Sequence, residues 1–395
     1  METKNQKSLP LSSFGNMLPK YLSTLYLLCT FLMQIDLVVS MKTQWQDFMK
    51  RILSIKEFNT TLFAMFGYLS MNFEVAHLER MIDVHFRRLN AQNMRGNRII
   101  ENRDMRKEDF ERKASRIFMA IFLSGCILPY FQGIMLAVKN GTKDLDFDKL
   151  PYIIYTHYPE KLRTVPIYLT IMTTQCLWYG LMLIHWYHLY KCFFMSTLCM
   201  ITEMELLVVA LNNLLDCEMA EKENKSDENT RVDKKGQAEN NLLDKYMTRI
   251  IKEHYIICSG LKTLNTGASS MSLGFYNVFA MQMCLFILFV IEMNEMVARI
   301  KYTVLGIIVF SISVSASKMG QDLADQGERL RLKIYQSEWI DKPVWLQKYI
   351  LLMITRASRN MEMKPYGLYV LDMSSVTNVV KGTYTYFNLV TSLRV

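Results

Sequence analysis

Residues 271–293 read MSLGFYNVFAMQMCLFILFVIEM, with Glu292 as their one charged side chain. A helix rising about 1.5 Å per residue needs about 20 such positions to cross roughly 30 Å of hydrocarbon, so this run is long enough to span a bilayer once. Comparable runs occur at 21–40, 58–76, 117–138, 166–187 and 300–317. Six crossings follow. A seventh is split between a short apolar segment at 345–355 and a longer one at 374–393 that is rich in Ser, Thr, Asn and Tyr. A helix of that polarity is costly against acyl chains, so it is predicted to face protein or water.

The rest of the composition agrees. In 395 residues, 51% hydrophobic and 12% aromatic content with 29 Met strain a soluble multidomain reading. A mean hydropathy of only +0.07 places much of the chain outside lipid, as charged helical structure. Collagen-like, disordered and small disulfide-scaffold classes are excluded. The net charge of +9 lies between the apolar runs rather than on a soluble basic face, so no nucleic-acid partner is read from it. The eight Cys form no CxxC pair and show no disulfide framework or zinc site. No small-residue cleavage site occurs in the first twenty residues, and the first apolar run is read as a retained signal anchor.

Lys and Arg set the orientation, because they favour the cytoplasmic ends of membrane helices. Alternate connections on one side carry 29 of them, including 11 between the second and third runs, against 12 on the other side. The basic side is therefore inside. This predicts an all-α membrane protein with seven transmembrane helices, a cytoplasmic N-terminus at 1–20 and an extracellular C-terminus. The sequons at Asn59 and Asn140 fall in connections assigned to the outside, and that at Asn224 falls inside. Residues 21–187 hold crossings one to four, and 271–317 hold five and six. Residues 188–270 form a cytoplasmic helical extension with a charged, flexible insert at 218–240. Residues 318–355 form further cytoplasmic helices, and 356–395 carry the inner half of the last crossing and the C-terminus.

No phosphate loop, nucleophile elbow, HExxH or paired-carboxylate motif appears, so no enzyme, cofactor or catalytic residue is expected. His185 and His188 share one helix face by their i,i+3 spacing, but further metal ligands are not evident and interfacial packing is the preferred reading. Asp36 reads as interfacial, and Glu292 and Glu295 either attract cations to a mouth or, in the preferred reading, form a solvated helix end. The last helix is more informative. Ser374, Asn378, Lys381, Thr385, Asn388 and Ser392 recur at spacings of 4, 3, 4, 3 and 4, which makes one polar stripe. Such a stripe either forms one wall of a water-filled conduit, with Leu389 beside it as a dewetting constriction, or bonds across to neighbouring helices.

The C-terminal third resembles the insect odorant receptor family. Tyr335, Ser337 and Trp339 followed by Pro343 look like its Tyr-x-Ser-x-Trp segment. Residues 354–357 through Lys364-Pro365 resemble the link between the halves of its seventh helix. The stretch from Gly382 to Leu389, with Thr383, Tyr384, Thr385 and Phe387, resembles its closing Ser-Tyr-Ser-x-Phe pattern, with Thr in place of both serines. The resemblance implies an odorant-tuned subunit of a ligand-gated nonselective cation channel. Such subunits assemble, as tetramers, with a common co-receptor. Their cytoplasmic helices form an anchor domain, and their setting is the plasma membrane of a sensory neuron dendrite.

Carried over by position, Thr385, Leu389 and Ser392 would face the pore, with Leu389 at the gate. The family's odorant site lies among the second, third, fourth and sixth helices, where this sequence offers Phe63, Phe66, Ser124, Leu128, Tyr130, Tyr168, Met172 and Tyr302. An apolar, aromatic, Met-rich cavity of this kind suits a small volatile. The alternatives are a gustatory receptor of the same superfamily, whose closing Gln-Phe is replaced here by Thr391-Ser392, and a metabotropic seven-helix receptor, which needs the opposite orientation. A transporter would show repeats or paired half-helices.

Overall fold

The computed structural model describes residues 20–43, 48–73, 75–90, 97–140, 150, 152–154, 164–224, 232–292, 296–337, 339–340, 343–358 and 361–392. Regular structure among the described residues is entirely helical. The helices are α1 (Lys20–Thr43), α2 (Phe48–Phe73), α3 (Val75–Asn90), α4 (Asn97–Phe122), α5 (Leu128–Asn140), α6 (Val165–Asn224), α7 (Val232–Gly267), α8 (Ser269–Glu292), α9 (Met296–Gln336), α10 (Val344–Ala357) and α11 (Met373–Ser392).

Four described segments are long and apolar enough to cross a membrane: Thr24–Lys42, Arg98–Val138, Val165–Asn212 and Arg299–Gln336. α8 holds the shorter apolar segment Ala280–Glu292. The outward sides of two helices are apolar, as contact with acyl chains requires. On α1 these are Leu25, Leu28, Phe31, Leu32, Ile35, Val38 and Val39, and on α5 they are Leu128, Phe131, Met135 and Val138.

Helix length follows from where breakers fall. α6 begins with Pro166 in its first turn, where the missing N–H has no intrahelical role. No proline follows, so its 60 residues run on for about 90 Å, far beyond one bilayer. The third crossing needs a correction to its register. Pro129 cannot donate to the Gly125 carbonyl, and the chain passes through a π turn at Leu123–Ile127 in which the Leu128 N–H reaches the Leu123 carbonyl. This turn buries Gly125 and Cys126.

α2 begins at Phe48, ten residues before the run expected at 58–76. Lys56 and Glu57, read from sequence as part of a connection, are inside the helix and buried. Asn59 is buried too and donates to Gln282 Oε1 on α8 at 2.8 Å. Its assignment to an outer connection is corrected: a side chain packed between two helices cannot receive a glycan. The side chains of Asn140 and Asn224 and residue Glu295 lie outside the described residues. Of the charged insert at 218–240, residues 218–224 and 232–240 are helical, and 225–231 lie outside the described residues.

Two helices organise the packing. α6 touches α2, α3, α4, α7 and α9, while α8 lies against α2, α9 and α11. Beyond the membrane runs, α6, α7, α9 and α10 gather as extensions. Here His254 of α7 is buried, with Cys258 Sγ 3.9 Å from its Nε2. Burial, assisted by Arg356 of α10, lowers its pKa to about 4. The folded state therefore holds the neutral ring. Stability from this site is complete above the ordinary value near 6.5 and is lost as pH falls towards 4, by about 3 kcal/mol in full. Melting of the detergent-solubilised protein should fall between pH 6.5 and 4.5, and His254→Leu should flatten that part of the profile. An unchanged slope would remove His254 from the account.

Candidate functional site

A cavity of about 130 Å³ lies between α2, the α4–α5 π turn, α6, α8 and α9. Its apolar wall is built by close packing. Phe63 of α2 stacks on Trp186 of α6 with centroids 3.8 Å apart and planes 3° from parallel. A Cβ at Gly67 would stand 2.7 Å from Trp186 Nε1, so the bare glycine sets how near α2 comes to α6. Phe118, Tyr179, Met182, Phe286 and Leu305 are among the other apolar lining residues.

The polar groups are concentrated at one place. Lys56 Nζ pairs with Glu57 Oε1 at 2.5 Å and stands 5.1 Å from the Tyr302 ring centroid and 5.9 Å from that of Phe289. Lys301 Nζ lies 5.6 Å from the Tyr302 ring. Gln282 also lines the cavity. Two ammonium groups over aromatic faces in a largely apolar space gain from the ring quadrupoles.

Of the eight side chains expected around a ligand, the structure brings Phe63 and Tyr302 to the cavity wall. The other six lie elsewhere. Phe66 is partly buried on α2, three residues beyond Phe63. Ser124 donates to the Ala120 carbonyl at 2.7 Å, and Leu128 belongs to the outward apolar row of α5. The Tyr130 hydroxyl is 3.3 Å from that of Thr173. Tyr168 packs edge-on to Tyr152 with centroids 5.4 Å apart, and Met172 is buried one turn further along α6. Sequence reading does not nominate Lys56, Glu57 or Lys301, because charges at run ends look like solvated connections, nor Gln282, an uncharged residue inside an apolar run. Their buried roles depend on the longer α2.

α11 is split lengthwise. Asp372 caps it, its Oδ1 accepting the Ser375 N–H at 2.9 Å. Ser375, Val376 and Thr383 are buried, and Val379 and Phe387 pack against the core. The Thr383 hydroxyl reaches the Ala280 carbonyl of α8 at 3.5 Å. Ser374, Asn378, Lys381, Thr385, Asn388 and Ser392 are not buried, and Leu389 beside them is 54% exposed. The Thr385 hydroxyl donates to the Lys381 carbonyl and that of Ser392 to the Leu389 carbonyl, within their own helix. Tyr384 is exposed.

At the end of α9, Tyr335 is exposed while Ser337 is buried and donates to the Ile334 carbonyl at 2.6 Å. Trp339 packs against the core just beyond.

The two histidines of α6 part company. His185 Nδ1 lies 2.7 Å from the Leu181 carbonyl, and its ring stacks on Tyr26. His188 Nε2 is 3.0 Å from Glu79 Oε1 of α3 and 3.6 Å from Cys192 Sγ, and these donor atoms lie within 4.8 Å of one another. The cluster ties α3 to α6.

The profile of the family described as 7tm Odorant receptor matches residues 44–384. Odorant receptor 10 of Aedes albopictus is 22% identical over 158 residues, covering 39% of this chain and 41% of that relative. The match thus spans about two fifths of the relative's length. The structure of the insect olfactory receptor OR5 from Machilis hrabei superposes with a TM-score of 0.74 at 14% identity, covering 98% of this chain and 91% of the other. The same receptor in complex with eugenol gives 0.75, also at 14% identity, covering 100% and 92%. Shared fold over the full length and a profile match over most of it have one consequence: the chain belongs to the insect odorant receptor family.

Proposed function

We propose that the chain is the odorant-binding subunit of a ligand-gated nonselective cation channel, working with a common co-receptor in the plasma membrane. Its N-terminus is inside. The observation that carries this reading is the lengthwise split of α11, which buries Val376 and Thr383 and leaves six polar side chains uncovered. A polar row of this length is unfavourable against lipid, and the Thr385 and Ser392 hydroxyls bond within their own helix rather than across to a neighbour. A water-filled path shared with other subunits satisfies it. In that arrangement Thr385 and Ser392 line the path, and Leu389 forms the constriction.

The cavity is the site proposed for a small volatile, with Phe63 and Tyr302 in contact. The eugenol complex of the Machilis receptor supports a small ligand for that protein, and the fold is common to both. α8 offers a physical link. Gln282 and Phe286 line the cavity, and two residues before Gln282 the Ala280 carbonyl holds Thr383 of α11. A ligand opens the path only as far as it binds better to the arrangement of α8 that accompanies the open form.

Co-expression with the co-receptor in cells, followed by whole-cell recording against a volatile panel, tests the proposal. A ligand-evoked cation current that needs both chains is expected. A response that persists after the co-receptor is omitted and G-protein signalling is intact would point to the metabotropic alternative.

A further inference from the structure

The charges in the cavity do not balance. Its charged lining residues are Lys56, Glu57 and Lys301, two ammonium groups against one carboxylate. Lys56 and Glu57 already satisfy each other at 2.5 Å. Lys301 is partly buried and has no ion-pair partner among the described residues, its close neighbour being the Tyr302 ring. An ammonium held against apolar walls whose nearby carboxylate, Glu57, is already paired with Lys56 is costly, and an incoming anion lowers that cost. The amide of Gln282 points the same way. Its oxygen accepts from Asn59, which leaves its N–H₂ group as a donor. The Lys301 ammonium and the Gln282 N–H₂ group are thus two donors in the lining, beside the hydroxyls of Thr60, Tyr179, Tyr190 and Tyr302, and the rest of the wall is mostly aromatic and aliphatic.

We infer that the cavity takes a small carboxylic acid as its carboxylate, with Lys301 as counter-ion to the head and the Phe63–Trp186 side of the cavity holding the tail. The inference rests on the cavity being the ligand site, and it narrows the ligand to an anionic class. A neutral ester of the same acid fills the same apolar space and leaves Lys301 unpaired. Charge-assisted hydrogen bonds to a carboxylate are about twice as strong as neutral ones, so the two ligands should be well separated.

The test uses the full-length receptor and a panel of straight-chain and aromatic monocarboxylic acids, each beside its methyl ester, at pH 7. Two readouts are taken: melting temperature of the purified receptor and evoked current with the co-receptor. At least one acid should act at concentrations tenfold or more below its ester. Lys301→Gln should bring that acid to the level of its ester while leaving the ester within twofold, and Lys301→Arg should keep the preference. The inference is overturned if no acid outperforms its ester on the unmodified receptor, or if Lys301→Gln weakens both ligands equally. A current evoked by neutral volatiles without any acid preference overturns this inference alone. Failure of every volatile to evoke current from a receptor delivered to the surface counts against the channel reading, and the melting data still decide the carboxylate.

Discussion

Leu389→Ala should raise the standing current several-fold in cells that carry the co-expressed receptor and no odorant. Leu389 is 54% exposed on the face of α11 that also holds Thr385 and Ser392. In the proposed assembly its side chain narrows a path otherwise lined by hydroxyls and amides. A narrow apolar ring empties of water and blocks ions without a physical plug, so shortening it lets water persist and ions follow. The change should appear as leak carried by the odorant-evoked conductance, with the same ion selectivity and the same response to pore block. Leu389→Ile keeps bulk and apolarity and should leave the closed state quiet. If Leu389→Ala reaches the surface, responds to odorant and shows no added leak, Leu389 is not the constriction.

The division of α11 is visible in sequence because its polar residues keep helical spacing for five turns, and a 3.6-residue period survives any packing. The apolar runs are equally plain. Helix ends are not, since they depend on neighbours. α2 begins at Phe48, so Lys56 and Glu57 are helical, and Lys56 lies against Phe289 of α8 and Tyr302 of α9, whereas hydropathy alone assigns such charges to water. The cavity escapes sequence reading for the same reason. Phe63 and Tyr302 stand out by aromatic character, whereas Lys301 lies at the edge of a run and looks like an interfacial anchor. Tyr168 and Met172 show the opposite error of emphasis: they are as apolar and as buried as a ligand site requires, but they face Tyr152 and the packed interior. Composition tells how deep a side chain lies, and only the arrangement of helices tells whether it meets a void.

Gly320→Val should have the largest effect on folding, and the reason is a backbone contact. Gly320 is buried on α9, and a Cβ there would enter the space of the Leu371 carbonyl, with Leu371 Cγ 3.0 Å away. A side chain in the way can rotate, but a carbonyl can move only with its chain. Leu371 is fixed from the other side as well, its N–H donating to the Met363 carbonyl at 2.9 Å. The next residue is Asp372, which caps α11. Displacing Leu371 therefore disturbs the start of the helix proposed to line the path. Overpacking of this kind costs about 1 to 3 kcal/mol for a methyl group, and the β-branched Val adds two more carbons at the same point. Gly320→Ala should lower the melting temperature of the solubilised receptor, and Gly320→Val should lower it further and reduce surface delivery. Gly382 supplies the contrast. It lies on α11, where an added Cβ would meet nothing within 4 Å, so Gly382→Ala adds only helix propensity, about 1 kcal/mol in favour of the fold. Equal melting of Gly320→Ala and the unmodified receptor would mean that α9 and Leu371 do not approach this closely, and the placement of α11 against α8 and α9 would have to be revised with it.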